Sequence, residues 1–506
     1  MKGVTLVIAS QEETPIFRAL KKYVADSVLP FHVPGHKQGR GLPEFTQFVG
    51  QNVMNIDLTA VEGLDNICNP ISTIKKAEEL AAAAWGADYA HFLVNGTTSG
   101  IQTMIMSVCA PGDELILPRN AHKSATGGII LSGARPVYIE PDIDDYFGIA
   151  MGISVEKVVR ALQQHPRAKA IFVINPTYYG VASPLADIVR VAHAHGVAVI
   201  VDEAHGAHLR FHPALPQSGA EAGADIIATS VHKLGGSLTQ SSLLLVNEGF
   251  VDPKRVKTVL NLTQTTSPSY ILLASLDVAR KQLATRGYQL VDRTLQLASW
   301  IRQQLSEVPG ITLLDETVLN DEGSMALDPI KILVNTRELG ISGHELERYL
   351  RVHYNIQAEL SDLYNTLFLV TIGDDEQTVQ TLVDALKAVS KEREQCNIVK
   401  YPTYLPELPE LVLSPKEAFY SETRLVSIDK AEGEISAEMV MAYPPGIPLI
   451  CPGERFTREI IDYINILKKE QLNLQGTEDL TVTKIKVVKN PAQISLPQES
   501  FARVVG

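Results

Sequence analysis

Two side chains have the types and settings that pyridoxal 5'-phosphate (PLP) chemistry needs. Lys233 follows the apolar stretch 226–229, and Asp202 ends the apolar stretch 198–201. Both positions indicate buried groups at the ends of neighbouring strands. A lysine amine can bind the PLP aldehyde as a Schiff base, and a carboxylate can keep the pyridine nitrogen protonated so that the ring accepts electrons. The pair therefore predicts a PLP site with Lys233 and Asp202 as catalytic residues.

Each residue also has a simpler interpretation. Most lysines are solvated surface groups, and an aspartate after a strand can cap the next helix or pair with a structural arginine. The apolar setting favours the PLP interpretation, because an unpaired buried carboxylate is costly and a pyridinium supplies its cation. Gly235 and Gly236 follow the lysine, which predicts close approach of the backbone to a ligand.

A loop suited to phosphate lies between an apolar strand and a helix at 95–100. Its amides and the hydroxyls of Thr97, Thr98 and Ser99 can hold a phosphate at a helix N-terminus. Threonine and serine are also common at helix N-termini without any ligand. Beside the lysine, Ser230 and His232 add donors, and together these residues predict the phosphate site.

Three further residues follow strands of the same sheet, where ligands collect in open α/β folds. His122 is predicted to place its ring against the pyridine, although a lone histidine is more often structural. His205 either orients Asp202 or contacts the substrate. Thr177 is a predicted ligand contact, with turn formation as its alternative.

Short apolar stretches alternating with amphipathic segments predict the fold that positions these residues. The pattern is typical of a mostly parallel sheet with helices on both faces, and we expect seven strands, at 91–94, 114–117, 136–139, 170–174, 198–201, 226–229 and 241–246. A helix is expected from Ser183 as N-cap with Pro184 at its first position, and another over 269–305.

The chain of 506 residues is too long for one core. We expect an N-terminal arm over 1–70, a PLP-binding major domain over 71–300, a small α/β domain over 301–400 and a C-terminal domain over 401–506. Strands are expected at 331–334 and 367–372 in the small domain, and Met439, Val440, Met441, Ile460 and Ile461 are expected in the C-terminal core.

Composition excludes several classes of protein. The net charge of −13 argues against a nucleic-acid partner. Four scattered cysteines argue against a disulfide scaffold or a thiolate metal site. The apolar stretches are too short for a membrane span, and the first residues lack the features of an export signal. We therefore expect a cytoplasmic protein that binds no metal.

Nine segments in this order resemble the Orn/Lys/Arg decarboxylase family of fold-type I PLP enzymes. The C-terminal one, 443–454, contains Pro-Pro-Gly-Ile-Pro-Leu-Ile-Cys-Pro-Gly-Glu. The resemblance is to the shorter bacterial form, which lacks an N-terminal response-regulator-like domain. The segments are 31–39, 62–66, 95–100, 119–124, 175–180, 201–208, 230–235, 265–270 and 443–454.

The resemblance implies a homodimer, or a larger homo-oligomer, with active sites at the subunit interface. Thr266, Ser267 and the arm that carries His36 would then reach a neighbour's site, Thr266 and Ser267 as cofactor contacts. Glu454 resembles the family's acidic contact for the substrate's distal cation, with a helix N-terminal glutamate as its alternative. His36 and Asp65 are further expected substrate contacts. Asn66 and the segment 357–362 depart from the family pattern.

The resemblance also implies the reaction, which is decarboxylation of arginine, lysine or ornithine, with arginine favoured. Lys233 or His232 would return the proton to Cα. Another fold-type I enzyme, such as an aminotransferase, an aldolase or a sulfur-transfer enzyme, would use the same lysine and aspartate. A non-catalytic binding protein on this fold is a second alternative, but it would be expected to lose the lysine or the phosphate loop, and both are present.

Overall fold

The computed structural model describes residues 10–320, 322–393, 406–442, 447–469 and 474–491. Residues 443–446, which begin the last of the nine segments, lie outside these ranges. The predicted domain boundaries at residues 70, 300 and 400 stay predictions.

A seven-stranded sheet forms the centre of the fold, as predicted. Numbered in chain order, its strands lie in the sheet order β1-β7-β6-β5-β4-β2-β3. β7 is antiparallel to both of its neighbours, β1 and β6, and all the other neighbouring pairs are parallel. The strands are β1 (Tyr89–Leu93), β2 (Glu114–Pro118), β3 (Arg135–Ile139), β4 (Ala170–Ile174), β5 (Ala198–Asp202), β6 (Ile226–Thr229) and β7 (Ser242–Val246).

Helices cover both faces of this sheet, because its central strands are apolar on both sides. Every residue of β5 and β6 is buried, and alternate residues of the sheet belong to two separate apolar clusters. The helices of ten or more residues are Pro15–Ala25, Thr73–Trp85, Gly96–Val108, Lys123–Ser132, Val155–Gln164, Leu185–Ala194, Pro253–Thr263, Tyr270–Leu305, Gly343–His353, Glu376–Glu392 and Arg458–Lys469.

One of the two predicted helices begins where it was expected, and the other begins one residue later. The long helix begins at Tyr270 after the N-cap Ser269 and ends at Leu305, as predicted. The helix predicted from Ser183 begins one residue later than expected, with Pro184 as N-cap. The Ser183 hydroxyl accepts a hydrogen bond from the Ile153 amide instead of capping the helix.

The remaining strands form smaller sheets. The predicted strand 331–334 is present. The strand predicted at 367–372 lies instead at Asn365–Leu369. It ends early because the Asp374 carboxylate accepts a hydrogen bond from the Thr371 amide, which turns the chain. Val440, Met441, Ile460 and Ile461 are buried as expected, whereas Met439 is only half-buried. The strands are Thr312–Leu313, Lys331–Asn335, Leu360–Ser361 and Asn365–Leu369 in one sheet, Thr423–Ser427 with Lys484–Val488, Val440–Ala442 with Ile447–Ile450 and Leu474–Gln475, Ile143–Asp144 with Ile149–Ala150, and Val181–Ala182 with Ala326–Leu327.

The segment 31–70 is mostly irregular and contains two short helices, Pro43–Val49 and Gln51–Ile56. Phe31 and Phe48 are 91% and 90% exposed. Asp65 fastens the end of this segment to the helix Thr73–Trp85, because its carboxylate accepts from the amides of Asn66, Ile71, Ser72, Ile74 and Lys75.

These bonds correct the expectation that Asp65 contacts the substrate. Burial of Asp65 opposes its charge, but the amides that point at it outweigh this effect and lower its pKa. The carboxylate is only 3% exposed. It is therefore a structural anion that holds the chain together.

Glu203 follows β5 and points away from Asp202 into the protein. It is fully buried, and one carboxyl oxygen accepts from the Gly219 amide at 2.5 Å. Its other oxygen, Oε1, has no hydrogen-bond partner among the described residues. Burial raises the pKa of Glu203 to about 8, and the charges of Glu221 and Asp202 act in the same direction. Glu203 is therefore protonated at neutral pH.

We predict that Glu203→Gln makes the protein less sensitive to alkaline pH. The native parent keeps this proton between pH 4.5 and about 8, whereas the unfolded chain loses it, so parent stability falls as pH rises through that window. The slope is at most about 1.4 kcal/mol per pH unit. Urea unfolding at pH 6 and pH 8 should therefore show that the free energy of unfolding of the variant, relative to that of the parent, is higher at pH 8 than at pH 6.

Glu307→Gln is the matched control, since Glu307 is exposed. That variant should track the parent at both pH values. An equal difference between Glu203→Gln and the parent at pH 6 and pH 8 would mean that Glu203 is already charged in the native protein.

Candidate functional site

A cavity of about 310 Å³ lies at the carboxyl ends of the parallel strands. Eight of the predicted site residues line it, and they come from four different strand ends, as expected for a ligand site in an open α/β sheet. The lining residues are Gly96, Thr97, Thr98, Ile101, Asn120, His122, Ile174, Pro176, Tyr178, Asp202, Ala204, His205, Ser230, His232, Lys233, Thr239 and Gln240.

Lys233 enters the cavity from the four-residue helix Val231–Leu234, directly after β6. Its Nζ lies 2.9 Å from Nε2 of His205 and 5.5 Å from the centre of the Tyr178 ring. Burial lowers the pKa of Lys233, although the charge of Asp202 opposes the shift. A lowered pKa increases the fraction of neutral amine, which is the form that attacks an aldehyde.

The two glycines after the lysine have a different role from the one predicted. Neither lines the cavity. A Cβ on Gly235 would lie 2.7 Å from the side chain of Val231, and Gly236 has a φ of +84°. They end the short helix and let it pack closely, and this fixes the place where Lys233 leaves the backbone.

Asp202 is the last residue of β5 and is 5% exposed. Its Oδ1 accepts one hydrogen bond, from the Ala204 amide at 3.1 Å. Burial raises the pKa of Asp202 to about 6, while the Ala204 amide and Lys233 oppose that shift. A cationic group in the cavity would stabilise the carboxylate form.

Hydroxyl groups line the cavity at the N-terminus of the helix Gly96–Val108. The Thr97 hydroxyl is hydrogen-bonded to the Ser230 hydroxyl, and to the Ser242 hydroxyl at 2.8 Å. Thr98 is exposed and also lines the cavity. Ser99 does not line it, because its hydroxyl donates to the Gly96 carbonyl within the first turn. The structure thus corrects the prediction for Ser99 and places Thr97, Thr98 and Ser230 together.

Three predicted histidines line the cavity, and burial lowers the pKa of each. The pKa of His122 falls to about 4, and its Nδ1 caps the next helix through the Ser124 amide. His232 is held through Nδ1 by the Ser241 carbonyl at 2.9 Å. His205 is hydrogen-bonded to Lys233, a contact that neither of its two predicted roles included. Burial therefore favours the neutral form of all three rings.

Thr177 is turned away from the cavity and is 3% exposed. Its hydroxyl accepts from the Val181 amide at 3.2 Å, so the turn-forming alternative describes it better than the predicted ligand contact. The next residue, Tyr178, lines the cavity instead and packs its ring on His205 at a centroid distance of 4.6 Å. Tyr178 belongs to the segment 175–180, but the sequence did not indicate which of its side chains faces inward.

Glu454 does not line the cavity of its own chain, and its main contact is one that neither sequence interpretation included. It is 1% exposed, and its carboxylate forms a bidentate ion pair with Arg119, with Nη1–Oε1 and Nη2–Oε2 distances of 2.5 and 2.8 Å. A carboxylate held in this way cannot also receive a substrate cation from the cavity of the same chain. It lies outside the helix Arg458–Lys469.

The predicted contacts with a neighbouring subunit lie outside the cavity. His36 is hydrogen-bonded through Nε2 to Asp57 at 3.1 Å and through Nδ1 to the Gly39 amide. Thr266 and Ser267 are exposed in the loop before the long helix. Their roles stay predictions.

Glu359 is a charged residue near the cavity that the sequence did not single out. Its negative charge raises the pKa values of Lys233, His232 and Lys331, although burial lowers each of them overall. Glu359 is exposed, and its backbone pairs with Leu367 in the four-stranded sheet. The only sequence signal was that 357–362 departs from the family pattern.

These side chains form a donor set that fits PLP. An amine of lowered pKa can bind the aldehyde, and a buried carboxylate with a single hydrogen bond can receive a pyridinium proton. Hydroxyls at a helix N-terminus suit the phosphate, and neutral His122 can lie against the ring.

Comparison with known proteins gives family models and relatives that match along most of the chain. The model "Orn/Lys/Arg decarboxylase, major domain" matches residues 14–378, and "Orn/Lys/Arg decarboxylase, C-terminal domain" matches residues 400–481. An arginine decarboxylase from Bacillus subtilis is 48% identical over 96% of this chain and 100% of the relative. A lysine decarboxylase from Pseudomonas aeruginosa is 28% identical over 90% of this chain and 76% of the relative.

A lysine decarboxylase from Francisella novicida has the same fold in its crystal structure. The TM-score is 0.82 at 24% identity, over 94% of this chain and 81% of that one. With the sheet order and the lysine and aspartate at its edge, these matches identify the chain as a fold-type I member of the Orn/Lys/Arg decarboxylase family.

Proposed function

We propose that this protein is a PLP-dependent decarboxylase of a basic amino acid and that arginine is its substrate. The observation that carries the proposal is the shared cavity of Lys233, Asp202 and the Thr97 hydroxyl cluster in a member of this family. The match to both decarboxylase models favours this reaction over an aminotransferase, an aldolase or a sulfur-transfer enzyme.

The choice of arginine is supported by the relatives. The arginine decarboxylase from Bacillus subtilis is 48% identical, whereas the lysine decarboxylase from Pseudomonas aeruginosa is 28% identical. Substrates that differ in side-chain length and head group are separated by a few contacts at the distal end.

In this proposal each residue that would hold PLP has its own role. Lys233 would attach covalently to the aldehyde, Asp202 would bind the pyridinium and His122 would lie against the ring. Thr97, Thr98, Ser230 and His232 would bind the phosphate. The bound cofactor supplies an electron sink for the bond between Cα and the departing carboxylate.

The protein's own groups must then return a proton to Cα. Nζ of Lys233 lies 2.9 Å from Nε2 of His205, so a proton on the displaced lysine amine is held by a neutral imidazole. His232 also lines the cavity and is a second candidate donor. The apolar side chains of Ile101, Ile174 and Pro176 form part of the wall and limit the access of water.

Glu359 is the residue that we assign to the distal cation of the substrate. Its carboxylate acts electrostatically on two cavity residues, Lys233 and His232, and on the buried Lys331, and it is itself exposed. A guanidinium binds a carboxylate with charge-assisted, often bidentate, hydrogen bonds. Glu454, the residue that the sequence suggested, is already occupied by Arg119.

A homodimer built around the N-terminal arm is part of the proposal. Phe31 and Phe48 are almost fully exposed in the single chain, and exposed apolar groups of this size are typical of protein interfaces. Thr266 and Ser267 are exposed as well, as a contact with a neighbour's site requires. Among the described residues, no helix has the length and apolar character needed to cross a bilayer. The cytoplasmic location stays a prediction.

The proposed reaction and the role of Lys233 can be tested together. The purified protein should bind PLP as a yellow complex, and borohydride should fix the cofactor on the peptide that contains Lys233. CO₂ release should be fastest with arginine among arginine, lysine and ornithine. Lys233→Ala should lower turnover by roughly 10³-fold or more.

Lys254→Ala is the control, because Lys254 is an exposed residue of the helix Pro253–Thr263. It should keep the yellow complex and the rate. A PLP-loaded protein that releases no CO₂ from any of the three amino acids would refute the decarboxylase proposal, and faster release from lysine or ornithine would refute the choice of arginine.

The second prediction concerns Glu359. Glu359→Gln keeps the shape of the side chain but removes its charge, so KM for arginine should rise roughly tenfold while kcat changes less. Steady-state CO₂ release would measure both. Glu307→Gln, an exposed glutamate elsewhere, should leave KM unchanged, and a parental KM in Glu359→Gln would remove Glu359 from the substrate site.

The third prediction concerns the arm. Phe48→Ser should weaken self-association, because it removes a large apolar side chain from the proposed interface, and sedimentation velocity over a range of concentrations should show more monomer. Leu480→Ser changes a residue that is 83% exposed near the C-terminal sheets and should leave the assembly unchanged. Identical association of Phe48→Ser and the parent would exclude this face from the interface.

A further inference from the structure

A buried ion pair joins the central sheet domain to residues near the C-terminus. Arg119 and Glu454 are 335 residues apart in sequence and are 6% and 1% exposed. Nη1 and Nη2 of the guanidinium donate to the two carboxylate oxygens, at 2.5 and 2.8 Å. Two parallel bonds of this kind fix direction as well as distance.

The surroundings of the pair leave little freedom on either side. Arg119 also donates to the carbonyls of Pro448 and Leu449, at 3.1 and 3.2 Å, and lies over the Tyr138 ring at 4.6 Å. Glu454 accepts in addition from the Cys451 amide at 2.6 Å. The guanidinium is therefore held by the segment 448–454 at three separate points.

Arg119 begins the turn that carries two cavity residues. It follows the end of β2, and the next residues of the turn, Asn120 and His122, both line the cavity. The Arg119 amide donates to the Ile139 carbonyl, and the Ala121 amide donates to the Pro118 carbonyl. At the other end, His122 caps the helix Lys123–Ser132.

We propose that the Arg119–Glu454 pair positions His122 against the cofactor, so that residues 448–454 take part in building the active site from outside the cavity. Arg119 and Glu454 are positioning residues, because neither of them lines the cavity. The inference rests on the proposed function, since it assigns His122 a contact with PLP. It also accounts for a buried glutamate that has no place in the cavity.

The test compares three changes to the pair. Arg119→Lys keeps the charge but loses the planar fork, Glu454→Gln removes the negative charge, and the double variant R119M/E454L removes both charges. The double variant matters because Glu454→Gln leaves a buried cation unpaired and can fail to fold. PLP is titrated into each apo-protein, and the visible circular dichroism of the bound cofactor is recorded.

We expect Arg119→Lys and the double variant to weaken PLP binding roughly tenfold and to reduce the visible dichroism of each bound cofactor. Asp277→Asn is the matched control, because it breaks another buried pair, that of Asp277 with Arg280, at 0% and 1% exposure. It should lower thermal stability while leaving the PLP affinity and dichroism at parental values.

His122→Ala separates positioning from general destabilisation. If Arg119 acts through His122, then Arg119→Lys should add almost nothing to the loss of PLP affinity already caused by His122→Ala. Additive effects of the two substitutions, or parental affinity and dichroism in Arg119→Lys and the double variant, would overturn the inference. A parent protein that binds no PLP would overturn the proposed function, and this inference with it.

Discussion

Desolvation at the carboxyl edge of the parallel sheet is the constraint on which the site depends. Asp202 ends a fully buried strand and accepts a hydrogen bond from the Ala204 amide. Burial disfavours its charge more than this amide and Lys233 favour it, so a further cation in the cavity would stabilise the carboxylate. Burial also disfavours the charged form of Lys233, and because this group is a cation its pKa falls. Burial thus disfavours the charged forms of both groups, and the proposed cofactor would offer an aldehyde to the amine and a pyridinium to the carboxylate.

The direction of each side chain decides what burial does to it. Asp202 and Glu203 are adjacent, yet Asp202 faces the cavity and Glu203 faces the interior beside Gly219. Burial raises the pKa of Glu203 to about 8 and that of Asp202 to about 6. A ligand in the cavity can offset the cost of burying a charged carboxylate at Asp202 only, whereas Glu203 avoids this cost by keeping its proton. One strand end thus contains a carboxyl group that faces the cavity and a carboxyl group that does not.

Short stretches of sequence were enough to predict the features that depend only on neighbouring residues. The seven strands follow from short apolar stretches, and Lys233 and Asp202 follow from polar residues at their ends. Within a turn the pattern fails, because Thr177 and Tyr178 are neighbours and only the folded backbone decides which one faces the cavity. It fails again for Arg119 and Glu454, since nothing near either residue specifies a partner 335 positions away.

The charges around the cavity explain why a basic substrate suits it. Lys331 is a second buried amine, but burial lowers its pKa to about 7 and its Nζ donates to the Tyr178 carbonyl at 2.8 Å, so it supports the wall. Burial favours the neutral form of the cavity histidines, and the proposal assigns Asp202 to the cofactor. Among the described acidic residues that act on Lys233, this leaves Glu359. An exposed carboxylate beside neutral rings attracts a cation without first losing another partner, and a substrate with a distal guanidinium supplies that cation.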